Sequence, residues 1–220
     1  DGIVLRHFAS DGVRHLGVEP SANVAQAAVS VGVNTLVKFF DVEVAGEIRD
    51  EHGRADVILG ANVMCHIPDL HSVARGIELL LKPDGVLIFE DPYLGDVVEK
   101  TAYDQIYDEH VFYFSLSSIS SLFERHGMEV VDVEPQGVHG GSMRYTIARK
   151  GKRTRAKAVA ERDSWERKVG LNQRPTFDRL CQNIERSRDE LVTLLQDIKG
   201  EGKTVVGYGA TSKSTTVTNY

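Results

Sequence analysis

The sequence predicts an α/β fold built on a doubly wound parallel sheet. Strand-like and helix-like segments alternate along residues 1–150, and repeated βα units of this kind form parallel sheets with right-handed crossovers. The runs at 55–61 and 86–90 are strongly apolar, as is typical of strands covered on both faces. With 220 residues, of which 41% are hydrophobic, the chain can also bury a sizeable core.

Local signals place the elements of the first half of the chain. A short strand ends at Glu19 and Pro20, and Ser21 is a suitable N-cap for the helix that follows. Asp69 can cap a later helix in the same way. The predicted order is a loop feeding a helix at 3–8, a strand at 14–19, a helix at 21–31, a strand at 33–40, a helix at 42–51, a strand at 55–61 and a helix at 69–81.

The second half is predicted from similar signals. Residues 82–85 (KPDG) have the composition of a turn, Ser115 can cap a helix, and Gly127 suits the C′ position of that helix. The remaining predicted elements are a strand at 86–90, a helix at 115–126, an antiparallel pair at 128–133 and 142–148, and a charged helical stretch at 153–199 that is broken near 170–175.

Both ends of the chain stop inside predicted elements. The chain starts at Asp1-Gly2 and runs directly into its first helix. Residues 203–213 predict a strand, a glycine turn and the opening of a helix. We therefore expect an internal segment of a longer protein.

The composition argues against several classes of protein. Lys and Arg number 26 against 32 Asp and Glu, and this net charge of −6 lacks the basic excess of a nucleic-acid binder. No apolar run approaches the ~18 residues of a membrane span. Cys65 and Cys181 are far apart, which excludes a disulfide framework or a cysteine zinc site within the chain. We expect a soluble protein of the reducing cytoplasm, with no nucleic-acid or membrane partner.

Polar residues follow the predicted strands at the edge where open α/β sheets bind ligands. These strand ends carry Glu19, Asp41, Asn62 with His66, and residues 90–93 (EDPY). A carboxylate can accept both hydroxyl donors of a ribose, which makes Glu19 a candidate for nucleoside binding. The alternative is that Glu19 is a solvated loop acid.

Several motifs together resemble one enzyme family. Residues 1–2 (DG), 17–20 (GVEP) and 82–85 resemble class I S-adenosylmethionine (SAM)-dependent methyltransferases, although other nucleotide-binding sheets share such elements. Longer motifs resemble the SAM-dependent sugar C-methyltransferases of deoxysugar biosynthesis, most closely those that methylate C-3′ of a dTDP-3-amino-4-keto-deoxysugar in the kijanose (tetronitrose) pathway. They are residues 62–68 (NVMCHIP), 89–96 (FEDPYLGD), 104–115 (DQIYDEHVFYFS), 139–144 (HGGSMR) and 207–213 (GYGATSK).

The resemblance covers essentially the whole chain and implies its architecture. It implies a class I methyltransferase (Rossmann-like) sheet lacking its first strand, followed by helices and the start of a second nucleotide-binding-like domain. The implied domains are an N-terminally truncated methyltransferase domain at 1–150, a helical connector at 151–202, and the first strand and turn of a truncated nucleotide-sugar-binding domain at 203–220. Zinc is expected only in a missing N-terminal domain, and no metal ligand is predicted in this chain.

The cofactor implied by the resemblance is SAM. The residues expected to bind it are Asp1 and Gly2 of the glycine loop, Glu19 and Pro20 after the second strand of the family's sheet, and Asn62 as a contact to the methionine moiety.

Methylation at carbon needs a carbanion equivalent, and a proton α to a ketone is its accessible source. The site must supply a base near that carbon and a donor near the ketone oxygen. On a helix, Tyr107 and His110 would share a face, with His110 as the base and Tyr107 as a donor. Glu109 could orient the imidazole or bind the sugar amine, and His66 is a second acid–base or substrate residue. The alternatives are core-edge packing for Tyr107 and His110 and a structural role for His66.

Five residues are candidates for binding substrate. Tyr93 either lines the cleft or packs in the core. His139, Gly140 and Gly141 either let the backbone approach a sugar or phosphate or form a tight turn. Lys213 follows a glycine turn that resembles a phosphate cradle, and the family suggests that this region binds the nucleotide-sugar.

The predicted function is therefore SAM-dependent C-methylation, at the carbon α to the ketone (C-3′) of a dTDP-4-keto-deoxysugar. A small-molecule O- or N-methyltransferase of the same fold and a nucleotide-binding module without turnover are the alternatives. The expected partner is a nucleotide-linked sugar. The oligomeric state is left open, with a monomer compatible with the sequence.

Overall fold

Two compact units make up the protein, of which the computed structural model describes residues 1–209 and 211–220. The first unit is Asp1–Asp56 with His71–Lys82, and the second is Val57–Leu70 with Pro83–Tyr220. Within the described residues, no helix is long and apolar enough to cross a membrane.

The first unit combines a short parallel sheet with helices. Its elements are α1 (Leu5–Ser10), β1 (Gly17–Val18), α2 (Ala22–Ser30), β2 (Thr35–Leu36), α3 (Val42–His52) and most of α4 (Leu70–Leu80). The sheet pairs β1 with β2, and the core is formed by small and branched apolar residues of α2, α3 and α4. Asp41 is the N-cap of α3, where its Oδ1 accepts a hydrogen bond of 2.8 Å from the backbone N–H of Val44.

The helices predicted for this unit are confirmed, but its strands are shorter than predicted. The expected strands at 14–19 and 33–40 reduce to the two-residue β1 and β2. At the two ends of this strand pair, the backbone N–H of Gly17 donates to the carbonyl of Asn34, and the backbone N–H of Glu19 donates to the carbonyl of Leu36. Beyond it Phe39 is 78% exposed, so the apolar pattern there does not correspond to burial.

The larger sheet contains β3 (Ala55–Ala61), β4 (Leu81–Pro92), β5 (Met128–Gln136) and β6 (Ser142–Arg149), in the order β3-β4-β6-β5 within the described residues. The predicted antiparallel pairing of β5 with β6 is confirmed, with a bulge between Val130 and Asp132. β6 also runs antiparallel to β4. The predicted turn at 82–85 is instead the start of β4.

The two apolar strands differ in how far they are covered. β4 is buried at Val86, Leu87 and Phe89, as predicted. In β3, however, Val57 is 49% and Leu59 is 42% exposed. Because Val57 and Leu59 are two residues apart, they lie on the same face of β3, and the prediction of a strand covered on both faces is wrong there.

The helices of the second unit follow local start and stop signals. They are α5 (Leu94–Lys100), α6 (Leu116–Glu124), α7 (Lys157–Val169), α8 (Arg174–Gly200) and α9 (Ser212–Asn219). Ser115 caps α6 with a reciprocal capping box to Ser118, and Gly170 ends α7 with a left-handed φ of 67°. The predicted break near 170–175 is therefore confirmed, whereas α5 was not predicted.

The C-terminal segment departs from its prediction in one respect. Residues 203–209 carry no strand, although the sequence predicts one there. A strand needs a hydrogen-bonded neighbour, and no described strand pairs with this segment. Ala210, within the predicted glycine turn, lies outside the described residues, and α9 confirms the predicted helix after it.

A buried carboxylate joins α7 to the start of α6. Glu166 of α7 is 4% exposed, and its Oε1 accepts hydrogen bonds from the Tyr93 hydroxyl (2.7 Å) and the backbone N–H of Leu116 (2.6 Å). Its Oε2 accepts from the backbone N–H of Ser117 at 3.1 Å. The Glu166 carboxylate therefore accepts from two N–H groups in the first turn of α6, which have no acceptor within the helix. The N-terminal end of a helix also stabilises a nearby negative charge.

Replacing Glu166 by Ala should destabilise the protein strongly. We expect the free energy of unfolding to fall by about 3 kcal/mol, since hydrogen bonds to charged groups are strong and the buried Tyr93 hydroxyl would lose its acceptor. Urea denaturation followed by circular dichroism measures the change.

The matched control is Glu161→Ala on the same helix, where the exposed carboxylate pairs with Lys157 of the preceding turn. This variant should unfold at nearly the wild-type urea concentration. Equal effects of the two substitutions would contradict the proposed role of Glu166.

Candidate active site

Tyr107 and His110 lie in a turn rather than on the predicted helix. The backbone N–H of His110 donates to the carbonyl of Tyr107 at 3.0 Å, and the chain continues without helical structure. The turn still brings the two side chains together, with Tyr107 Oη 2.9 Å from His110 Nε2. Their proximity was predicted, but a turn produces it.

Hydrogen bonding determines which nitrogen of His110 carries the proton. Nδ1 lies 2.9 Å from the backbone carbonyl of Gln105, which can only accept, so Nδ1 is the donor. In the neutral ring Nε2 is then an acceptor, and the Tyr107 hydroxyl donates to it. The basic nitrogen of the imidazole therefore accepts a hydrogen bond from the Tyr107 hydroxyl.

The surroundings of His110 favour its neutral form. Burial lowers the pKa of the imidazole, and the nearby His66 and Lys213 lower it further, against the opposing effect of the Gln105 carbonyl. Burial also raises the pKa of Tyr107, so its phenol stays protonated at neutral pH. The pair thus consists of a neutral base and a neutral donor.

His66 joins this pair from the end of a 3-10 helix (Met64–His66). Its ring centroid is 5.1 Å from that of His110, and its Nδ1 donates to the backbone carbonyl of Glu109 at 2.6 Å. Glu109 therefore holds His66 through its main chain, while its side chain is exposed. Of the two roles predicted for Glu109, orienting the imidazole of His110 is performed by the Gln105 carbonyl instead, and binding of the sugar amine stays a prediction.

Asn62, His139 and Lys213 form a second group. Asn62 Nδ2 is 3.4 Å from His139 Nε2, and His139 Nδ1 is 3.4 Å from Lys213 Nζ. Asn62 and His139 both adopt left-handed backbone conformations, with φ of 52° and 53°. The structure thus joins one predicted cofactor residue to two predicted substrate residues.

The glycine pair after His139 has a packing explanation. Gly141 has a φ of 136°, and a Cβ placed there would lie 2.4 Å from the side chain of Asp96. Gly140 has a φ of 77°, and its carbonyl accepts from Lys100 Nζ at 2.9 Å. Of the two predicted roles, these contacts favour the tight turn for Gly141.

Tyr93 is buried away from solvent. Its hydroxyl donates to Glu166 Oε1 at 2.7 Å, and its ring packs near Trp165 at a centroid distance of 6.4 Å. Of its two predicted roles, this geometry favours core packing over a substrate contact.

The predicted cofactor residues of the first unit lie around β1 and the chain start. Glu19 follows β1, and its Oε1 accepts from the backbone N–H of Ser21 at 2.9 Å, with Pro20 between them. Gly2 has a φ of 74°, and a Cβ there would lie 3.0 Å from Val33 Cγ2. Asp1 Oδ1 accepts from the backbone N–H of Ile3 at 3.0 Å.

Sequence reasoning missed three residues that shape the site. Gln105 is buried, and its backbone carbonyl orients His110. The Tyr113 hydroxyl donates to the same carbonyl at 3.0 Å. The Cys65 carbonyl accepts from the backbone N–H groups of Val111 (2.9 Å) and Phe112 (3.2 Å). All three lie inside the motifs of the family resemblance. Their contacts are mostly main-chain contacts, which residue type does not reveal.

The α/β fold is of the kind found in SAM-dependent methyltransferases, and two family models place the chain in this class of protein. A family model described as "Methyltransferase domain" matches residues 1–133, and one described as "C-methyltransferase C-terminal domain" matches residues 137–220. The chain therefore belongs to the methyltransferase family, which confirms the predicted resemblance.

Individual relatives agree with this assignment. The chain is 39% identical over 213 residues to the C-methyltransferase NovU of Streptomyces niveus, covering 96% of this chain and 51% of that protein. It thus spans about half the length of this curated relative. Among solved structures, the PH0226 protein of Pyrococcus horikoshii OT3 is similar in fold, with a TM-score of 0.52 and 16% identity over 68% of this chain and 78% of that one. The StiE O-MT domain has a TM-score of 0.51 and 12% identity over 76% and 71% of the respective chains.

Gly141→Ala should disturb the turn that carries His139. The added methyl group would meet Asp96 and would require a backbone conformation that alanine rarely adopts, so we expect a loss of about 2–4 kcal/mol in unfolding free energy. Thermal unfolding measures the loss.

Gly137→Ala is the matched control. Gly137 precedes the same turn with a φ of −81°, and no described atom lies within 4 Å of the position that its added methyl group would take. The melting temperature of this variant should stay close to that of the wild type. An unchanged melting temperature in Gly141→Ala would contradict the packing explanation.

Proposed function

We propose that this chain is part of a SAM-dependent C-methyltransferase, acting on the carbon α to the ketone (C-3′) of a dTDP-4-keto-deoxysugar. The observation that carries the proposal is the contact of 2.9 Å between Tyr107 Oη and the basic Nε2 of His110. The similarity to a C-methyltransferase supports the reaction type. The sugar and the position are inferred from the predicted resemblance and from the chemistry of this pair.

The reaction begins with proton transfer from carbon. As the substrate enters, the Tyr107 hydroxyl turns from His110 to the ketone oxygen, which frees Nε2. Nε2 then takes the α-proton, the C–H electron pair forms the enolate, and Tyr107 donates to the developing oxyanion. The imidazolium keeps its Nδ1–H on the Gln105 carbonyl, so the ring does not have to reorient during the transfer.

SAM fits the chemistry of the residues around β1. One oxygen of the Glu19 carboxylate accepts from Ser21, and the carboxylate retains further acceptor capacity for ribose hydroxyls. Gly2, in the same unit, supplies a backbone conformation with positive φ at the predicted glycine loop. When bound, SAM would supply the methyl group that the enolate carbon accepts.

The nucleotide-sugar would be bound by cationic and donor groups of the second group of residues. Lys213 is the charged member of this group, and its ammonium suits a diphosphate. Asn62 and His139 provide polar side chains next to it.

We further propose a division of the chain into three parts. Residues 1–150 correspond to a methyltransferase domain, 151–202 to a helical connector, and 203–220 to the start of a nucleotide-sugar-binding domain. We also propose that the protein works in the cytoplasm.

Replacing His110 by Asn should abolish proton removal while preserving the local structure. The Asn amide can still donate to the Gln105 carbonyl, but it is not a base, so we expect exchange of the α-proton for deuterium to slow by about 10²–10⁴-fold. Proton NMR of a keto-sugar nucleotide in D₂O with the full-length protein measures the exchange.

His52→Asn, at the exposed end of α3, is the control and should exchange at the wild-type rate. Unchanged exchange in His110→Asn would remove His110 as the base. Methylation of oxygen or nitrogen in the product, seen by NMR, would instead support the alternative methyltransferase functions.

Tyr107→Phe tests the donor separately from the base. The variant keeps His110 and its hydrogen bond to Gln105 but loses the hydroxyl aimed at the oxyanion. We expect kcat for methylation to fall by about 10²-fold with a small change in KM, since the contact forms mainly in the transition state. A change in KM alone would contradict this role.

A further inference from the structure

Three potential metal ligands lie together beside the Tyr107–His110 pair. The ligating atoms of Cys65, His66 and His110 are all within 4.8 Å of one another. Cys65 and His66 end the 3-10 helix, and His110 comes from the turn that follows in the chain. The hydrogen bonds of Val111 and Phe112 to the Cys65 carbonyl hold these two segments against each other.

Both imidazoles are oriented as metal-binding histidines usually are. His110 donates its Nδ1–H to the Gln105 carbonyl, and His66 donates its Nδ1–H to the Glu109 carbonyl. In metal-binding histidines, the ring nitrogen that does not bind the metal usually donates such a hydrogen bond, and this fixes the tautomer and the position of the ring. In each ring it leaves Nε2 as the nitrogen with a free electron pair.

A buried acid lies beside Cys65. Asp91 is 1% exposed, and its carboxylate is near the Cys65 thiol and the backbone N–H groups of Met64 and Cys65. Among the described residues, none of these donors meets an Asp91 oxygen at full hydrogen-bonding geometry. The carboxylate can therefore balance the charge of a cation bound at the neighbouring thiol.

We propose that Cys65 Sγ, His66 Nε2 and His110 Nε2 bind one zinc-like divalent cation, with Asp91 as its neutralising carboxylate. Sulfur and imidazole nitrogen are ligands that select zinc or cobalt over magnesium or calcium. On binding, the Cys65 thiol releases its proton to solvent as the sulfur–metal bond forms. Thiolate and carboxylate together then balance the charge of the ion.

The geometry requires only small adjustments. Ligand atoms around a tetrahedral zinc ion are roughly 3.5 Å apart, given zinc–ligand distances of about 2.0–2.3 Å. Side chains whose ligating atoms are within 4.8 Å can reach this by modest rotations. The metal would replace the Tyr107 hydroxyl as the partner of His110 Nε2.

Metal binding and base catalysis would therefore compete for one nitrogen. Zinc is expected to inhibit the proton transfer, and a chelator is expected to reverse the inhibition. The inhibition rests on the proposed function, whereas metal binding does not. A failure of one can thus be told from a failure of the other.

The test is titration of the protein with Co²⁺, followed by absorption spectroscopy. We expect a thiolate-to-cobalt charge-transfer band and visible bands of tetrahedral intensity, both saturating and both removed by Zn²⁺ but not by Mg²⁺. Cys65→Ser should lose the charge-transfer band that arises from this site. Cys181→Ser, which alters an exposed cysteine of α8, should keep it.

A second variant protects the test against misfolding of Cys65→Ser. His66→Gln keeps the thiol but removes one nitrogen ligand, so it should weaken Co²⁺ binding by at least about tenfold. Circular dichroism confirms that each variant is folded. Equal charge-transfer intensity in the wild type and Cys65→Ser, or unchanged affinity in His66→Gln, would overturn the proposal.

Discussion

One backbone carbonyl organises the candidate site. The carbonyl of Gln105 accepts from His110 Nδ1 at 2.9 Å and from the Tyr113 hydroxyl at 3.0 Å. Because this oxygen cannot donate, it determines that Nε2 is the basic nitrogen of His110. The contact with Tyr107, the proposed proton transfer and the competing metal site all depend on that nitrogen. A main-chain atom is a suitable anchor, since only a change in backbone conformation displaces it.

The rest of the site is also held largely by the main chain. His66 is held by the Glu109 carbonyl, and the turn is attached to the Cys65 carbonyl by two N–H groups. Side chains thereby remain available for chemistry instead of structure. This division explains how a segment with little regular structure can hold a base and a donor at hydrogen-bonding distance.

Two buried carboxylates show how differently the fold treats charge. Glu166 is satisfied by Tyr93 and by two N–H groups at the start of α6, so its burial contributes to stability. Asp91 lies next to Cys65 and near the N–H groups of Met64 and Cys65, but among the described residues none of these donors meets its oxygens at full hydrogen-bonding geometry. A buried acid held this weakly contributes little to stability, in contrast to Glu166.

Caps, glycine stops and apolar periodicity act over a few residues, and they predict most helices and the β5–β6 pairing correctly. The Tyr107–His110 pair is predicted from the chemistry of its side chains and from the family resemblance. Neither kind of signal predicts that a turn brings this pair together, nor the exposure of β3. Those depend on which segments pack over a strand and on main-chain hydrogen bonds between distant residues. The orientation of His110 by Gln105 and the burial of Asp91 beside Cys65 were likewise decided only by the tertiary structure, since a backbone carbonyl is the same in every residue type and burial depends on the whole surrounding chain.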